Sequence, residues 1–318
     1  MSRHAACSRT DVRRFVVALV LVVVIAAVAV GASLLLGDRG TPPRATIETA
    51  TFVGAGDIAE CPTQGDEQTA LLLDEIVAEH PETIIYTTGD NAYQDGSYRE
   101  FLECYGPSWG RHKDRTYPAV GNHEFKQTKA EGYHEYWGDR GGTFDLYYYS
   151  YDVEDWHIIV LNSECHRVGC EFDSEDGDQV EWLEADLEAS DARCTIAIWH
   201  TPRWSSGRYS NDPELDTFWR VLYDHGAEIV LNGHEHLYER FEPMNPDGEI
   251  DEARGIRQFT VGTGGGNLRG FRDLHANSAA RGSEHGVLQF ELGPEGYAWE
   301  FVAVDGADFT DAGSATCH

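Results

Sequence analysis

The chain has 318 residues, enough for one large catalytic domain or two small ones, and a formal net charge of −31. Its 24 Lys and Arg form no basic stripe, which excludes a nucleic-acid backbone as partner. Only Lys113, Lys126 and Lys129 are lysines; so acidic and lysine-poor a surface fits either a salt-adapted source, where brine screens the repulsion, or an acidic exported protein.

Residues 1–14 carry Arg3, Arg9, Arg13 and Arg14 and read as a cytoplasmic tail. Residues 15–36 are apolar and uncharged over a length that crosses a bilayer, so a membrane anchor is expected there. The competing reading is a cleaved signal peptide, with Ala27-Val28-Ala29 as its processing site. Residues 37–48, with Pro42-Pro43, form a linker, and 49–318 is an exported catalytic domain on either reading. Cys7 lies on the cytoplasmic side. Cys61, Cys104, Cys165, Cys170, Cys194 and Cys317 follow the apolar segment and suggest up to three disulfides. Of the 15 connectivities that six cysteines allow, Cys165–Cys170, Cys61–Cys104 and Cys194–Cys317 are the expected pairs.

From Thr49 onward strands and helices alternate. Helices are expected over Thr69–His80, Asp178–Ser190 and Pro213–His225, each with apolar residues at helical spacing or suitable end residues. Phe144–Val153 and Trp156–Leu161 read as consecutive strands, and the run Tyr147-Tyr148-Tyr149 as a sheet face. Gln258–Val261 and Val287–Leu292 are further strands, with Trp299–Val304 as an added edge. Gly262 to Gly266 reads as a tight turn near the mouth of a site, not a dinucleotide loop.

Five apolar runs end abruptly in metal-binding side chains. Thr51–Gly56 runs into Asp57, and Ile84–Gly89 into Asp90 with Tyr93 three residues on. Pro118–Gly121 stops at Asn122-His123, Ile196–Trp199 at His200, and Ile229–Gly233 at His234-Glu235-His236. Ligands of open α/β sheets sit beyond the carboxyl ends of strands, so five strands aim ligands at one place. A two-metal site is expected.

Gly56-Asp57, Gly89-Asp90-x-x-Tyr93, Gly121-Asn122-His123-Glu124, the lone His200 and Gly233-His234-x-His236 resemble the ordered motifs of calcineurin-like metallophosphoesterases. Ala59 stands where many members carry a histidine, and Tyr93 substitutes for it. That combination resembles purple acid phosphatases. The resemblance implies an α/β fold: a four-layer α/β/β/α sandwich of two mixed β-sheets flanked by helices. It implies that Asp57, Asp90, Tyr93 and His236 hold one ion, Fe3+, and that Asp90, Asn122, His200 and His234 hold a second, Zn2+, Mn2+ or Fe2+. Asp90 would bridge the two. His123 would act on the transferring phosphoryl group or leaving oxygen, with Glu124 orienting it, while Arg203 and Arg240 are candidate substrate contacts. The expected activity is hydrolysis of a small phosphate monoester by metal-bound hydroxide. A phosphodiesterase of the same superfamily is the nearest alternative, and a non-catalytic binding protein with a degenerate site a more distant one.

Overall fold

The structure is a computed structural model that describes residues 49–172, 174, 176–209 and 211–318. The expected tail, the apolar segment 15–36 and the linker 37–48 lie outside the described residues. Among the described residues no helix is long and apolar enough to cross a membrane.

Two mixed sheets carry the fold. In the first, β1 (Ala50–Ala55), β3 (Ile84–Thr87) and β5 (Thr116–Pro118) run parallel. On the other side of β1 the sheet continues antiparallel through β13 (Gly286–Gly293), β14 (Gly296–Ala303) and β15 (Ala312–Thr316). Its order is β15-β14-β13-β1-β3-β5. The second sheet runs β12 (Ser278–Gly282), β10 (Tyr238–Phe241), β11 (Arg257–Val261), β9 (Ile229–Asn232), β8 (Cys194–Ile198), β7 (Trp156–Val160), β6 (Tyr149–Val153), with β7, β8, β9 and β11 parallel. A two-residue pairing joins β2 (Ala59–Glu60) to β4 (Ala92–Tyr93) beside the ends of β1 and β3.

The period-2 rule explains why the sheets stack. Successive strand residues face opposite ways. In β7, Trp156, Ile158 and Val160 enter the core shared with Phe52, Tyr86, Leu288 and Phe290 of the first sheet. The alternate residue Ile159 enters a second core instead, with Ala197 and Val230 from β8 and β9. There Val180, Leu183 and Leu187 of helix Asp178–Ala189 cover the outer face with Phe218, Trp219 and Leu222 of helix Asp216–Asp224. Helix Gly65–Glu79 buries Ala70, Leu73 and Ile76 in the first core. Helix, sheet, sheet, helix is the four-layer arrangement expected.

Three expectations at the element level need correction. Residues Phe144 to Tyr148 are a turn rather than strand, because Asp145 (φ 72°) and Tyr147 (φ 58°) adopt left-handed backbone. Of the tyrosine triplet only Tyr149 lies in a strand, whereas Tyr147 is buried edge-on against Tyr133, ring centroids 5.4 Å apart. The segment at Trp299 is no edge either, since β14 pairs on both sides and β15 forms the border.

All three expected disulfides are present, with Cα–Cα distances of 5.6 Å for Cys61–Cys104, 5.2 Å for Cys165–Cys170 and 5.8 Å for Cys194–Cys317. Such bridges persist outside the reducing cytoplasm. Cys194–Cys317 closes 123 residues and ties β8 of the second sheet to the residue that follows β15 of the first. Replacing this pair with alanines should lower unfolding free energy by about 2–5 kcal/mol, read from urea denaturation at pH 7. An unchanged midpoint would mean that sheet packing alone sets the stability.

Candidate metal centre

Every expected ligand sits where its strand ends. Asp57 follows β1, Asp90 follows β3, Tyr93 lies on β4 and Asn122 follows β5; His200 follows β8, while His234 and His236 lie between β9 and β10. The turns that place them are tight. Asp57 (φ 56°), Asp90 (φ 51°) and His234 (φ 68°) all take left-handed backbone, which costs about 1 kcal/mol or more each and concentrates at functional sites. Gly121 is required by close approach, because a Cβ there would lie 2.3 Å from Asp90 Oδ1.

Each aspartate uses one oxygen to hold backbone and presents the other to the centre. Asp57 Oδ2 accepts the His234 N–H at 2.8 Å, and Asp90 Oδ1 accepts the His123 N–H at 2.8 Å. Around Asp57 Oδ1 lie Tyr93 Oη at 2.7 Å and His236 Nε2 at 3.2 Å. Tyr93 Oη is also 3.1 Å from Asp90 Oδ2 and 3.2 Å from His236 Nε2. A second group shares that same Asp90 oxygen. His200 Nε2 is 3.3 Å from Asp90 Oδ2 and 3.1 Å from Asn122 Oδ1; His234 Nδ1 is 2.9 Å from Asn122 Oδ1 and 3.3 Å from His200 Nε2. Ligand atoms of Asp57, Asp90 and His200 all lie within 4.8 Å of one another, and all three side chains are buried.

These donors fit metal ions. Adjacent ligands of an octahedral ion with bonds near 2.1 Å are about 3.0 Å apart, which is the spacing found here. The far nitrogens of two imidazoles are already tied to carbonyls, His200 Nδ1 to Thr88 O and His236 Nδ1 to Asn267 O, each at 2.8 Å. Their Nδ1 atoms therefore donate, and their Nε2 lone pairs face the centre. Without an ion, protons must serve as counter-charge. Burial would lower the His200 imidazole, but Asp90 and then Asp57 push it up to about 10. Burial and the charge of His200 push His234 down to about 4. Burial alone would raise Asp57, yet His236 and His200 outweigh it and hold its carboxyl below the ordinary range. Burial, then the carboxylates of Asp57 and Asp90, hold the Tyr93 phenol well above its usual value, so a tyrosinate requires a strongly charged cation beside it.

The neighbouring residues behave less uniformly. His123 is partly exposed, with Nε2 3.9 Å from Asp90 Oδ2 and Nδ1 held near Gln94 O (2.6 Å) and Lys126 Nζ (2.8 Å). Glu124 does not orient His123 as expected. Instead it is fully buried and accepts four backbone N–H groups: Asn91 (2.7 Å) and Ala92 (3.4 Å) on Oε1, Gly121 (2.8 Å) and Asp90 (3.1 Å) on Oε2. It thereby clamps the loops after β3 and β5 together. Arg203 and Arg240 are committed elsewhere, contrary to the expected substrate contact. Arg203 pairs with Asp216 at 3.3 Å and stacks on Trp204, and Arg240 makes a bidentate, mostly buried pair with Asp311 at 2.8 and 3.1 Å.

Sequence reasoning passed over Tyr209 and Arg269. Tyr209 is half exposed and lies beside His234, ring centroids 4.6 Å apart; the Arg269 guanidinium lies 5.5 Å from the Tyr209 ring. Gly266, the last of the glycine run, donates its N–H to Asp57 O at 2.7 Å, which puts that turn at the site. Arg269 follows that glycine run closely, but no ligand motif beside it in sequence marks it.

Oxygens and imidazoles gathered at strand ends of two stacked mixed sheets are the construction of a metal-centred hydrolase. The profile of the calcineurin-like phosphoesterases matches residues 50–238, and the chain belongs to that family. Its relatives include purple acid phosphatases of Arabidopsis thaliana. Purple acid phosphatase 21 is 27% identical over 236 residues, 67% of this chain and 49% of the relative. Purple acid phosphatase 18 is 32% identical over 144 residues, 42% of this chain and 31% of the relative. The chain thus spans less than half the length of either. In fold it is similar to a purple acid phosphatase from yellow lupin (Lupinus luteus) seeds, with a TM-score of 0.68, 15% identity, and coverage of 85% of this chain and 54% of that one. It is also similar to GAP50, the anchor in the inner membrane complex of Plasmodium, with a TM-score of 0.63, 16% identity, and coverage of 85% and 89%.

The clamp at Glu124 gives a direct test. In Glu124→Gln an NH2 group replaces one acceptor and meets backbone N–H donors. Affinity for Zn2+, measured by chelator competition, should fall about 10–100-fold, the usual cost of removing a group that supports metal ligands. A change within twofold would show that the loops keep their places without it.

Proposed function

We propose that the chain is an exported, membrane-anchored phosphatase that hydrolyses phosphate monoesters with two metal ions at the Asp90 centre. The observation that carries this reading is one oxygen, Asp90 Oδ2, lying in both donor groups, 3.1 Å from Tyr93 Oη and 3.3 Å from His200 Nε2. In this reading Asp57, Asp90, Tyr93 and His236 hold one ion, and Asp90, Asn122, His200 and His234 hold the other. Anionic oxygens favour Fe3+ in the first position, while the neutral donors Asn122, His200 and His234 suit Zn2+, Mn2+ or Fe2+ in the second. The apolar segment 15–36 is the proposed anchor, and the three disulfides support export.

The chemistry that a cation pair supplies here is charge neutralisation of the ester phosphate and activation of water near neutral pH. The chain's own part is to position and to move a proton. Asn122 and His234 lie on the partly exposed side, whereas Asp57 and His200 are fully buried, so the ester enters past Asn122. His123 stands on that open side. Its Nε2 lies 3.9 Å from Asp90 Oδ2, placed to hand a proton to the leaving oxygen as a general acid.

Three variants separate these parts. Asp90→Asn should lose bound metal, counted by elemental analysis, together with activity on p-nitrophenyl phosphate. His123→Ala should keep its metal and lose about 10²–10⁴-fold in kcat. Tyr93→Phe should abolish a visible tyrosinate-to-iron absorption band. Wild-type turnover in His123→Ala, or a colourless iron-loaded wild type, would overturn the corresponding assignment. Separately, the net charge of −31 repels an anionic ester at long range, so kcat/KM should rise from low to molar NaCl as screening grows. A flat or falling profile would show that local charge governs capture.

A further inference from the structure

Few guanidinium groups near the centre are left uncommitted. Arg203 and Arg240 are held by Asp216 and Asp311. Among the described residues Arg208 and Arg269 carry no ion pair, and both flank the Tyr209 ring, at 5.8 and 5.5 Å from its centroid. That ring lies against His234, so Arg269, Tyr209 and His234 form a continuous layer leading outward from the proposed second ion.

Arg269 is fixed in place from both sides. Its N–H donates to His236 O at 2.8 Å, and its own carbonyl accepts the Ser283 hydroxyl at 2.7 Å. Three residues earlier Gly266 N–H binds Asp57 O at 2.7 Å, and His236 Nδ1 lies 2.8 Å from Asn267 O. The segment 266–269 is therefore stitched to two of the proposed ligands. Tyr209 is pinned from below, because its N–H donates to the buried carboxylate of Glu235. Glu60, on the same rim, cannot neutralise Arg269 cheaply: its two oxygens accept the side-chain amides of Gln94 (2.6 Å) and Asn267 (2.7 Å).

Among the described residues of a chain with 55 acidic side chains, two arginines at the mouth of a buried acidic centre thus carry no ion pair. Arg269, half-buried on pinned backbone, and the exposed Arg208 keep guanidinium donors without an ion pair among the described residues, and such groups bind oxyanions. We propose that Arg269, with Arg208 beside it, forms a second anion subsite, which takes a carboxylate or phosphate carried on the leaving group of the ester. This rests on the phosphomonoester reading above and names its substrate class: esters whose leaving group is itself anionic, with the carbon skeleton lying on the Tyr209 ring.

Binding of non-hydrolysable probes tests the subsite apart from turnover. Phenylphosphonate, 4-carboxyphenylphosphonate and 1,4-phenylenediphosphonate would be titrated calorimetrically into the metal-loaded wild type and into Arg269→Gln and Arg269→Lys. The wild type should bind each para-substituted probe roughly tenfold more tightly than phenylphosphonate, the order expected of one charge-assisted contact. Arg269→Gln should bring that ratio close to one, and Arg269→Lys should restore part of it. The carboxylate and phosphonate arms report which anion the subsite prefers. A wild-type ratio near one, or an equal ratio in Arg269→Gln, overturns the subsite; if Arg269→Gln weakens all three probes alike, Arg269 merely props Tyr209, and the proposal also falls. Hydrolysis of phenyl phosphate by the wild type is the separate arm. Its failure, with the tenfold ratio intact, would remove the ester-cleaving reading and leave the anion site standing.

Discussion

The centre depends on one constraint: its oxygen donors and its nitrogen donors come from different sheets. Asp57, Asp90, Tyr93 and Asn122 all stand on segments that leave or connect strands of the first sheet, Tyr93 on the short β4 between β3 and β5, and His200, His234 and His236 on loops of the second. Neither sheet alone offers a complete set for either proposed ion. Face-to-face packing of Phe52, Tyr86 and Phe290 against Ile158, Ile196 and Leu231 therefore does more than remove apolar surface from water. It sets the distance between the carboxylate half and the imidazole half. Asp90 Oδ2 is the point where the halves meet.

That division of labour explains the small-scale features. Left-handed backbone at Asp57, Asp90 and His234 turns each chain sharply at the strand end, so a ligand faces the seam between sheets rather than solvent. Glu124 supplies acceptors to four N–H groups that would otherwise point unpaired into a buried space. The loops after β3 and β5 thus move as one body. The anchor of His200 on Thr88 O joins the two halves, that of His236 on Asn267 O stays within the second, and both settle the ring tautomers before any ion arrives.

Much of this was legible in the sequence, and for an identifiable reason. Parallel strands buried on both faces read as continuous apolar runs, so their ends are sharp, and a ligand immediately after such a run is conspicuous. Asp57, Asp90, Asn122, His200 and His234 were found in that way, and the structure brings them together with Tyr93 and His236. The three cysteine pairs were also legible. The expectations that failed were decided by long-range partners with no local signal. Strand β15 is Ala-Gly-Ser-Ala-Thr and carries no apolar signal of its own; β14 makes it a strand. Arg240 follows the last histidine motif closely, yet the fold turns it to Asp311, 71 residues away. Glu124 sits beside His123 in sequence, but its pairing with backbone across two loops has no local signature.

Seating each proposed ion between two sheets has a kinetic corollary. An ion gripped from both sides escapes only when the layers breathe apart, or when a ligand loop peels back from the seam. Exchange with a chelator would then report that opening rather than the strength of any single coordinate bond. Scission of the Cys194–Cys317 staple, remote from the donors, should quicken the loss of the ions.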